Sequence, residues 1–472
     1  MTAYDDGTEA GAPTPHSFQP RHPTFTARHY RGEVATTVAQ PAPAGLLPPS
    51  ADSRQSRPTP TRLRLIATVL TLVVLALLAM TAASFLEARA RADTVTARAR
   101  TAAQAGDLYF ALADLDAEAA RLVLLGDGDF QPGDGAYDGN QLSALIAYND
   151  RTAQVDSDLQ ALAADGATAT TIAAEVTQYR STADSAIALD EFPGSTAGAP
   201  LSTAIGFYGR AETLMQGVLL PAAAELRNQT SAEATRAADD AHTWAIAGLV
   251  GTLVLGVIAV LALVAAQRRF TRLFRRTLNP ALLVATAVTV GLVGGAALAL
   301  GATARDADAA GSRLATYLQV VSTRAESYNA DGTAIRSVLM PNAFGQQQLG
   351  PQETTVDNEL TALGPVADGA GALWQNGPRK DYTNILDAVA KGETAKALSL
   401  ETGTARGEDA FDFFDYDRTL QAVDAQRLAD FQAAANGLSA DVGPWLLWPW
   451  ILAGATLLLI GLAVRPRLAE YR

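Results

Sequence analysis

The chain has 472 residues, a formal net charge of −13 and no cysteine. The lack of cysteine excludes disulfide bonds and thiolate metal sites. Only four histidines occur, three of them in the first 30 residues, so none is placed for a catalytic triad or a zinc site. Because no Gly-rich phosphate loop precedes a helix either, the sequence predicts no catalytic residue, no cofactor and no metal ligand, and favours a protein that is not an enzyme.

Residues 1–62 are rich in Pro, Thr, Ala, Gly and Arg and show no periodicity. A segment of this composition cannot bury enough apolar surface to fold alone, so we predict a disordered cytoplasmic tail. The tail is either a solvated tether or a segment that docks a cytoplasmic partner or is phosphorylated. The first apolar stretch begins some sixty residues into the chain, which predicts a retained signal anchor rather than a cleavable signal peptide.

Four apolar stretches predict four transmembrane helices, because each is near the ~20 residues that a helix needs to cross a bilayer. The predicted spans are residues 63–86, 244–266, 280–302 and 444–464. From Ile66 onwards these stretches contain no Lys, Arg, Asp or Glu, so we expect the lipid bilayer to surround them. Gly291 and Gly295 form a GxxxG pair, which favours close packing among the spans or a homodimer.

Charge predicts the orientation of the chain in the membrane. The first head, residues 87–243, has 23 acidic and 10 basic residues, and the second head, residues 303–443, has 20 acidic and 11 basic residues. The rest of the chain has 6 acidic and 15 basic residues, which include those of the link 267–279 and the C-terminal residues 465–472. Since short basic loops stay cytoplasmic, both termini and the link are predicted inside, and both heads are predicted to be extracytoplasmic.

The first head is helical by pattern. The residues Leu108, Leu112, Leu115, Ala119 and Leu122 recur at alternating steps of four and three, as in a coiled-coil seam, and Asp114, Glu118 and Arg121 fall off this seam. Breaks at Gly126–Asn140, near Gly166 and at Pro193–Pro200 divide the segment into four helices, which predicts a four-helix bundle. We expect its first and fourth helices to continue membrane spans, with a kink or offset at Pro221.

Acidic residues crowd the first break of this bundle. Four aspartates lie there without the spacing of an EF-hand, so a solvated loop is favoured over a calcium loop: Asp127, Asp129, Asp134 and Asp138. As membrane-distal loops carry recognition, these aspartates are candidate partner contacts. On the cytoplasmic side the candidates are the arginines of the link: Arg268, Arg269, Arg272, Arg275 and Arg276. Asp114 and Asp116 diverge on a helix, and we expect each to solvate the bundle surface or to pair with an arginine.

The second head repeats this plan in a degenerate form. Steps of four and three run from Leu314 to Leu339, a break follows, the middle is short and Gly-rich, and a last helix extends from about Gly407 to Leu438. Repetition of the unit span–bundle–span is the simplest account. The predicted fold class is therefore an all-α membrane protein with four transmembrane helices and two extracytoplasmic four-helix bundles.

Three segments resemble one actinobacterial family. GDLYFALADLDAEAARLVLLGD (Gly106 to Asp127) is similar to the opening of that family's first bundle, although Val123 and Leu124 stand near its usual Phe-Leu. AETLMQGVLLPAAAELR (Ala211 to Arg227) is similar to its MQxxLLPAA stretch, and FDFFDYDRTLQAVDAQRLADFQAAA (Phe411 to Ala435) to its closing helix. The family is that of the GlnX-type four-span membrane proteins with chemoreceptor-like four-helix sensory bundles.

The resemblance implies a role in signal transduction and no catalytic site. It implies an extracytoplasmic solute-binding lipoprotein for glutamate or aspartate as one partner and a cytoplasmic Ser/Thr kinase as the other, with no role for nucleic acid. Three other functions stay open on the residues alone: an FtsX-like permease component, a chemoreceptor-like sensor that binds a small ligand directly, and an envelope scaffold.

Overall fold

The computed structural model describes residues 60–126, 137–163, 167–190, 195–274, 280–367 and 369–469. Within these ranges the chain is helical apart from short turns and one isolated antiparallel bridge between Thr196 and Ala199. Four of the helical stretches are long and apolar enough to cross a membrane. The predicted fold class, an all-α membrane protein with four transmembrane helices, is confirmed.

The described residues of the first half of the chain form five α-helices. They are α1 (Pro60–Leu125), α2 (Tyr137–Leu162), α3 (Ala167–Asp190), α4 (Ser202–Leu214) and α5 (Leu220–Phe274). The helix α1 is a span and a head helix in one piece of 66 residues, about 99 Å long. The predicted offset at Pro221 is a π-helical turn, Met215–Leu219, because proline has no N–H for the regular helical bond.

The described residues of the second half form seven α-helices. They are α6 (Pro280–Leu339), α7 (Gln346–Leu363), α8 (Ala370–Asn376), α9 (Pro378–Ala390), α10 (Thr394–Thr402), α11 (Asp409–Val442) and α12 (Trp448–Ala469). Like α1, α6 joins a span to a head without a break. Between α6 and α11 the chain forms four shorter helices, so the middle of the second head is more subdivided than that of the first. Duplication of the span–bundle–span unit stays a prediction.

The two heads share one hydrophobic core. Its buried members come from both halves of the chain and include Leu112, Tyr179, Ile335, Trp374 and Leu420. The helix α1 lies inside this core, because every residue from Leu108 to Leu125 is buried except Arg121, which is partly buried. The heptad pattern of α1 predicts one buried seam, whereas a helix that is buried on all sides must have neighbouring helices on every face. The additional neighbours are α6 and α11 of the second head.

The spans pack through small and aromatic residues. At the end nearest the heads, Phe85 stacks on Trp445 with ring centroids 5.3 Å apart, and Gly295 faces the same indole ring. The outward faces of the spans expose large apolar side chains such as Leu72, Val254 and Leu298, as expected of surfaces that lipid covers. Between the spans and the head core lies an alanine-rich layer to which α1, α5, α6 and α11 all contribute.

Candidate functional site: a buried charged region in the head core

Ionisable side chains lie at the centre of the head core, where the membrane-distal parts of α1 and α6 meet α9, α10 and α11. Charged residues are rarely buried unless they are paired, because their transfer from water is costly. Eight such residues define the buried charged region, each at most 5% exposed: Asp114, Asp116, Glu118, Arg324, Asp331, Arg336, Glu401 and Asp409. The partly buried Arg121 and Arg151 contact it.

The deepest ion pair joins α1 to α6. Arg336 Nη1 donates to Asp116 Oδ2 at 2.6 Å, and the two side chains are 1% and 2% exposed. Asp116 also accepts from the Tyr179 hydroxyl and from Gln216 Nε2, both at 3.2 Å. The prediction that Asp116 either lies at the surface or pairs with an arginine is therefore resolved in favour of pairing. Arg336 is 220 residues away in sequence, so the periodicity of α1 does not indicate which arginine pairs with Asp116.

A second set of ion pairs surrounds Phe110. Arg151 donates to Asp114, so this aspartate too is buried and paired with an arginine. Arg324 binds Asp417 at 3.0 Å and Asp424 at 3.1 Å, and its guanidinium group lies 4.3 Å from the centre of the Phe110 ring. Burial raises the pKa of Asp114 to about 6 in spite of the Arg151 charge. The first of these pairs joins α1 to α2 and the others join α6 to α11, so the contact of Arg324 with the Phe110 ring is what links the two heads here.

The third element of the region is an acidic cluster of Asp331, Glu401 and Asp409. One carboxylate oxygen from each lies within 4.8 Å of the other two, and the residues are 0%, 1% and 0% exposed. Arg121 donates to Asp331 Oδ2 at 2.8 Å and to Glu118 Oε1 at 2.9 Å. Both carboxylate oxygens of Glu401 and of Asp409, together with Asp331 Oδ1, accept no hydrogen bond from the described residues.

The acidic cluster has too little positive charge around it. The field at Arg121 comes from four carboxyl groups, those of Glu118, Asp331, Glu401 and Asp409, which leaves a surplus of three negative charges if all ionise. Burial, with the neighbouring carboxylates, raises the pKa values of Glu401 and Asp409 well above their usual range. Burial also raises the pKa of Glu118 to about 7, against the effect of Arg121. Elsewhere in the region the surplus is smaller: Arg336 faces Asp116, Arg151 faces Asp114, and Arg324 contacts two aspartates.

A groove of about 390 Å³ opens beside the cluster. Glu118 and Arg121 form its inner wall, and Tyr328, Phe411 and Phe414 of the second head supply aromatic sides. Because Glu118 and Arg121 belong to both features, an occupant of the groove would lie next to the acidic cluster.

The partner contacts predicted from sequence that fall on described residues do not belong to this region. Asp127, Asp129 and Asp134 are outside the described residues, and Asp138 is in the first turn of α2. On the other side of the membrane spans, three arginines are exposed near the end of α5, namely Arg268, Arg269 and Arg272, whereas Arg275 and Arg276 are outside the described residues. These contacts stay predictions.

Comparison with known proteins gives one match, which lies in the first head. Residues 91–239 match the family model described as an actinobacterial sensor domain. The match supports an actinobacterial sensor protein. No curated protein and no solved structure matches the chain. The matched segment runs from the head part of α1 to the head part of α5, so it includes Asp114, Asp116, Glu118 and Arg121 but none of the acidic cluster.

The acidic cluster of this membrane sensor is the feature that the sequence does not reveal. The sequence predicts no metal ligand, since it has no local motif that joins residues 331, 401 and 409. The single available signal is composition: acidic residues interrupt runs of apolar ones in Asn329–Ile335 and in Glu408–Phe413. Only the tertiary fold, in which α10 and the start of α11 pack on α6, brings the three carboxylates together.

Proposed function

We propose that the chain is a GlnX-type relay, which transmits the state of an extracytoplasmic solute-binding lipoprotein for glutamate or aspartate to a cytoplasmic Ser/Thr kinase, without catalysing a reaction itself. One observation carries the proposal. The helices α1 and α6 run unbroken from the spans into the buried charged region, so any movement of the heads is carried directly into the membrane. The actinobacterial sensor domain supplies the sensing role.

The helix α1 covers the long distance over which this transmission acts. Phe85 lies at the end of the first span nearest the head and Arg121 in the buried charged region, 36 residues further along α1, which corresponds to about 54 Å of helix. A partner that binds one packing of the heads more tightly than another shifts the population of the two. Small helix shifts at an interface are an established means of switching.

The heads offer a surface on which a protein partner could dock. Among the described residues of α2, Leu142, Leu145 and Ile146 are exposed large apolar residues, and Phe414 of α11 is 59% exposed. Exposed apolar groups that cluster on a soluble part of a protein often mark an interaction site. We assign this surface, with the acidic break that precedes α2, to the binding lipoprotein.

The relay requires both heads outside the cell and both termini inside, as the charge distribution favours. Because the chain has no cysteine, each single-cysteine variant carries one thiol. We expect a membrane-impermeant maleimide to label K391C, in the second head, on intact cells, and to label R268C only after permeabilisation. Both positions are exposed, so accessibility within the protein is matched. Labelling in the opposite sense would overturn the proposed orientation.

The relay itself is tested by a distance at the cytoplasmic ends of the spans. Arg64 on α1 and Arg268 on α5 are both exposed, so the R64C/R268C variant accepts two spin labels. In nanodiscs, we expect the binding protein with glutamate to change the distance between the labels, and the binding protein without glutamate to leave it unchanged. If the distance is the same under both conditions, the relay is wrong.

The groove favours a second function, the direct sensing of a small ligand. It combines a guanidinium group, a carboxylate and aromatic walls, which are the groups that recognise a free amino acid. Glutamate without the binding protein would then change the same label-to-label distance and raise the melting temperature. The F411A variant, which removes one groove wall, would lose that response.

A further inference from the structure

We propose that Asp331, Glu401 and Asp409 form a binding site for a divalent cation of the calcium class. The proposal concerns the isolated chain and does not depend on the relay. Two independent observations support it: the convergence of three buried carboxylates, and the lack of any hydrogen-bond donor from the described residues to both oxygens of Glu401 and of Asp409.

The spacing of the ligands agrees with calcium. Calcium binds oxygen at 2.3–2.6 Å, so two ligands on opposite sides of one ion are at most about 5 Å apart. The three carboxylate oxygens lie within 4.8 Å of one another, which is inside that limit. Magnesium binds at 2.0–2.1 Å, which would require opposite ligands within about 4.2 Å, a narrower range than calcium accepts.

The type of ligand also selects a hard cation. All three residues offer carboxylate oxygen, and carboxylates suit calcium, magnesium and manganese rather than softer metals. Glu118 Oε2 is a fourth buried oxygen that accepts no hydrogen bond from the described residues, and Glu118 lies close enough to Asp331 for their charges to interact. Water would complete the six to eight ligands that calcium requires.

Charge balance gives the physical reason for a cation. Other carboxylates of the region face guanidinium groups, as Asp116 faces Arg336 and Asp114 faces Arg151. In the acidic cluster, Arg121 alone contacts Asp331 and Glu118, and Glu401 and Asp409 have no such contact among the described residues. A bound divalent cation would remove two of the three surplus negative charges.

The position of the site determines what the cation would hold together. Asp331 is on α6, Glu401 on α10, and Asp409 is the first residue of α11. The helix α6 begins as the third span, and α11 leads through the turn Gly443–Leu446 to α12, the fourth span. The ion would therefore fix the distal end of α11 against α6, and its removal would free that contact.

The decisive experiment is calcium binding to the full-length protein in detergent. After treatment with EDTA and dialysis, we expect added CaCl2 to raise the melting temperature of the wild type by a few degrees, since a ligand that binds only the folded state stabilises it. The E401Q and D409N variants should lose this shift. They should still fold, because the substitutions remove buried charge while conserving shape.

The matched control is E353Q. Glu353 is a buried carboxylate of the same head that lies outside the cluster, on α7, and its substitution should leave the calcium response intact. The site is wrong if the wild type shows no shift, or if all four proteins respond equally. A shift with MgCl2 that matches the CaCl2 shift would overturn the assignment to calcium.

A second measurement does not depend on the stability of any variant in the ligand set. Tyr382 lies beside the cluster, where it senses the charges of Asp331, Asp409 and Glu401, and its ring packs against Trp374 at 5.8 Å. These rings should sensitise the luminescence of terbium bound in place of calcium, with one site per chain that CaCl2 displaces. The Y382F variant should emit less at equal terbium occupancy. Terbium emission that CaCl2 does not displace would overturn the proposal.

Discussion

The head core and the membrane spans are held together by opposite means. In the head core, buried ion pairs such as Arg336–Asp116 and Arg324–Asp417 join α1, α6 and α11. The spans lack such pairs, because their apolar stretches contain no Lys, Arg, Asp or Glu. They pack instead through small, apolar and aromatic residues, as where Gly295 contacts Trp445.

The difference shows how one long helix can meet two separate demands. An ion pair in a core is satisfied in one register only, since a shift leaves two charges buried without partners. Small residues in lipid let the helix backbones approach closely, and a shift of register there leaves no buried charge without a partner. The packing of the heads is therefore determined by particular ion pairs, and the packing of the spans by the shapes of their small and aromatic side chains. The following predictions separate the two kinds of contact, from the largest expected effect to the smallest.

The largest effect is expected for R336M, which leaves the Asp116 carboxylate buried without its cation. Loss of one partner of a buried ion pair costs about 3–5 kcal/mol. The free energy of unfolding of the protein in detergent should fall by this amount. The R336M/D116N double variant should lose much less, because no unpaired charge remains. Equal losses in the single and double variants would contradict the assigned role of the pair.

A pH-dependent effect is expected at Asp107, whose carboxylate accepts a hydrogen bond from the Tyr317 hydroxyl at 2.7 Å. Burial raises the pKa of Asp107 from 3.8 to about 6 even though this bond favours the ionised form. The folded state therefore takes up a proton between about pH 4 and pH 6, and this contribution to stability is lost as the pH rises through 6.

The D107N variant should thus be more stable than the wild type at pH 7, by at most about 3 kcal/mol, and the two should converge near pH 4. The comparison is made by unfolding both proteins across this pH range. D93N is the control, since Asp93 is exposed and its substitution should produce no such pH-dependent difference. A difference for D107N that does not vary with pH would contradict the prediction.

In the spans, G295A should be destabilising by about 1–3 kcal/mol, because a methyl group at Gly295 would overlap the Trp445 indole ring and force it to move. Thermal unfolding in detergent would measure this loss. G291A is the matched control one helical turn away, where the added methyl group meets open space within the protein. If the two variants unfold at the same temperature, the Gly295–Trp445 contact does not stabilise the spans.

The smallest effect is expected for E233Q. Arg98 on α1 contacts Glu233 on α5 at 2.9 Å, but the two side chains are 47% and 48% exposed. An exposed ion pair contributes about 0–1 kcal/mol and is screened by salt. The free energy of unfolding should change by no more than this, and the change should vanish at high ionic strength. A loss as large as that of R336M would show that exposure does not distinguish the two pairs.

The local features of the fold could be predicted from the sequence. Uncharged runs predicted the four membrane helices, and the breaks after Gly126 and before Ser202 were predicted from glycine and proline. The segment MPNAFGQQQLGPQ (Met340 to Gln352) predicts a break after α6, and the observed break is shorter, since the chain resumes a helix at Gln346. Local composition decides such features within a few residues.

The candidate site could not be predicted, because its members are distant in sequence. Arg121 and Asp331 are 210 residues apart, and the heptad pattern placed Asp114, Glu118 and Arg121 off the seam. These residues are buried because the second head covers the face of α1 that its own bundle leaves free. A pattern within one helix shows which face is apolar, whereas the number of neighbours is a property of the whole fold.

The alanine-rich layer between the head core and the spans has a mechanical consequence. At this level, α1, α5, α6 and α11 meet through Ala92, Ala238, Ala307 and Ala434. Because alanine side chains are small, the four helix backbones can approach closely at this level. A bulky residue in place of any of these alanines would push the helices apart just where the head core joins the spans.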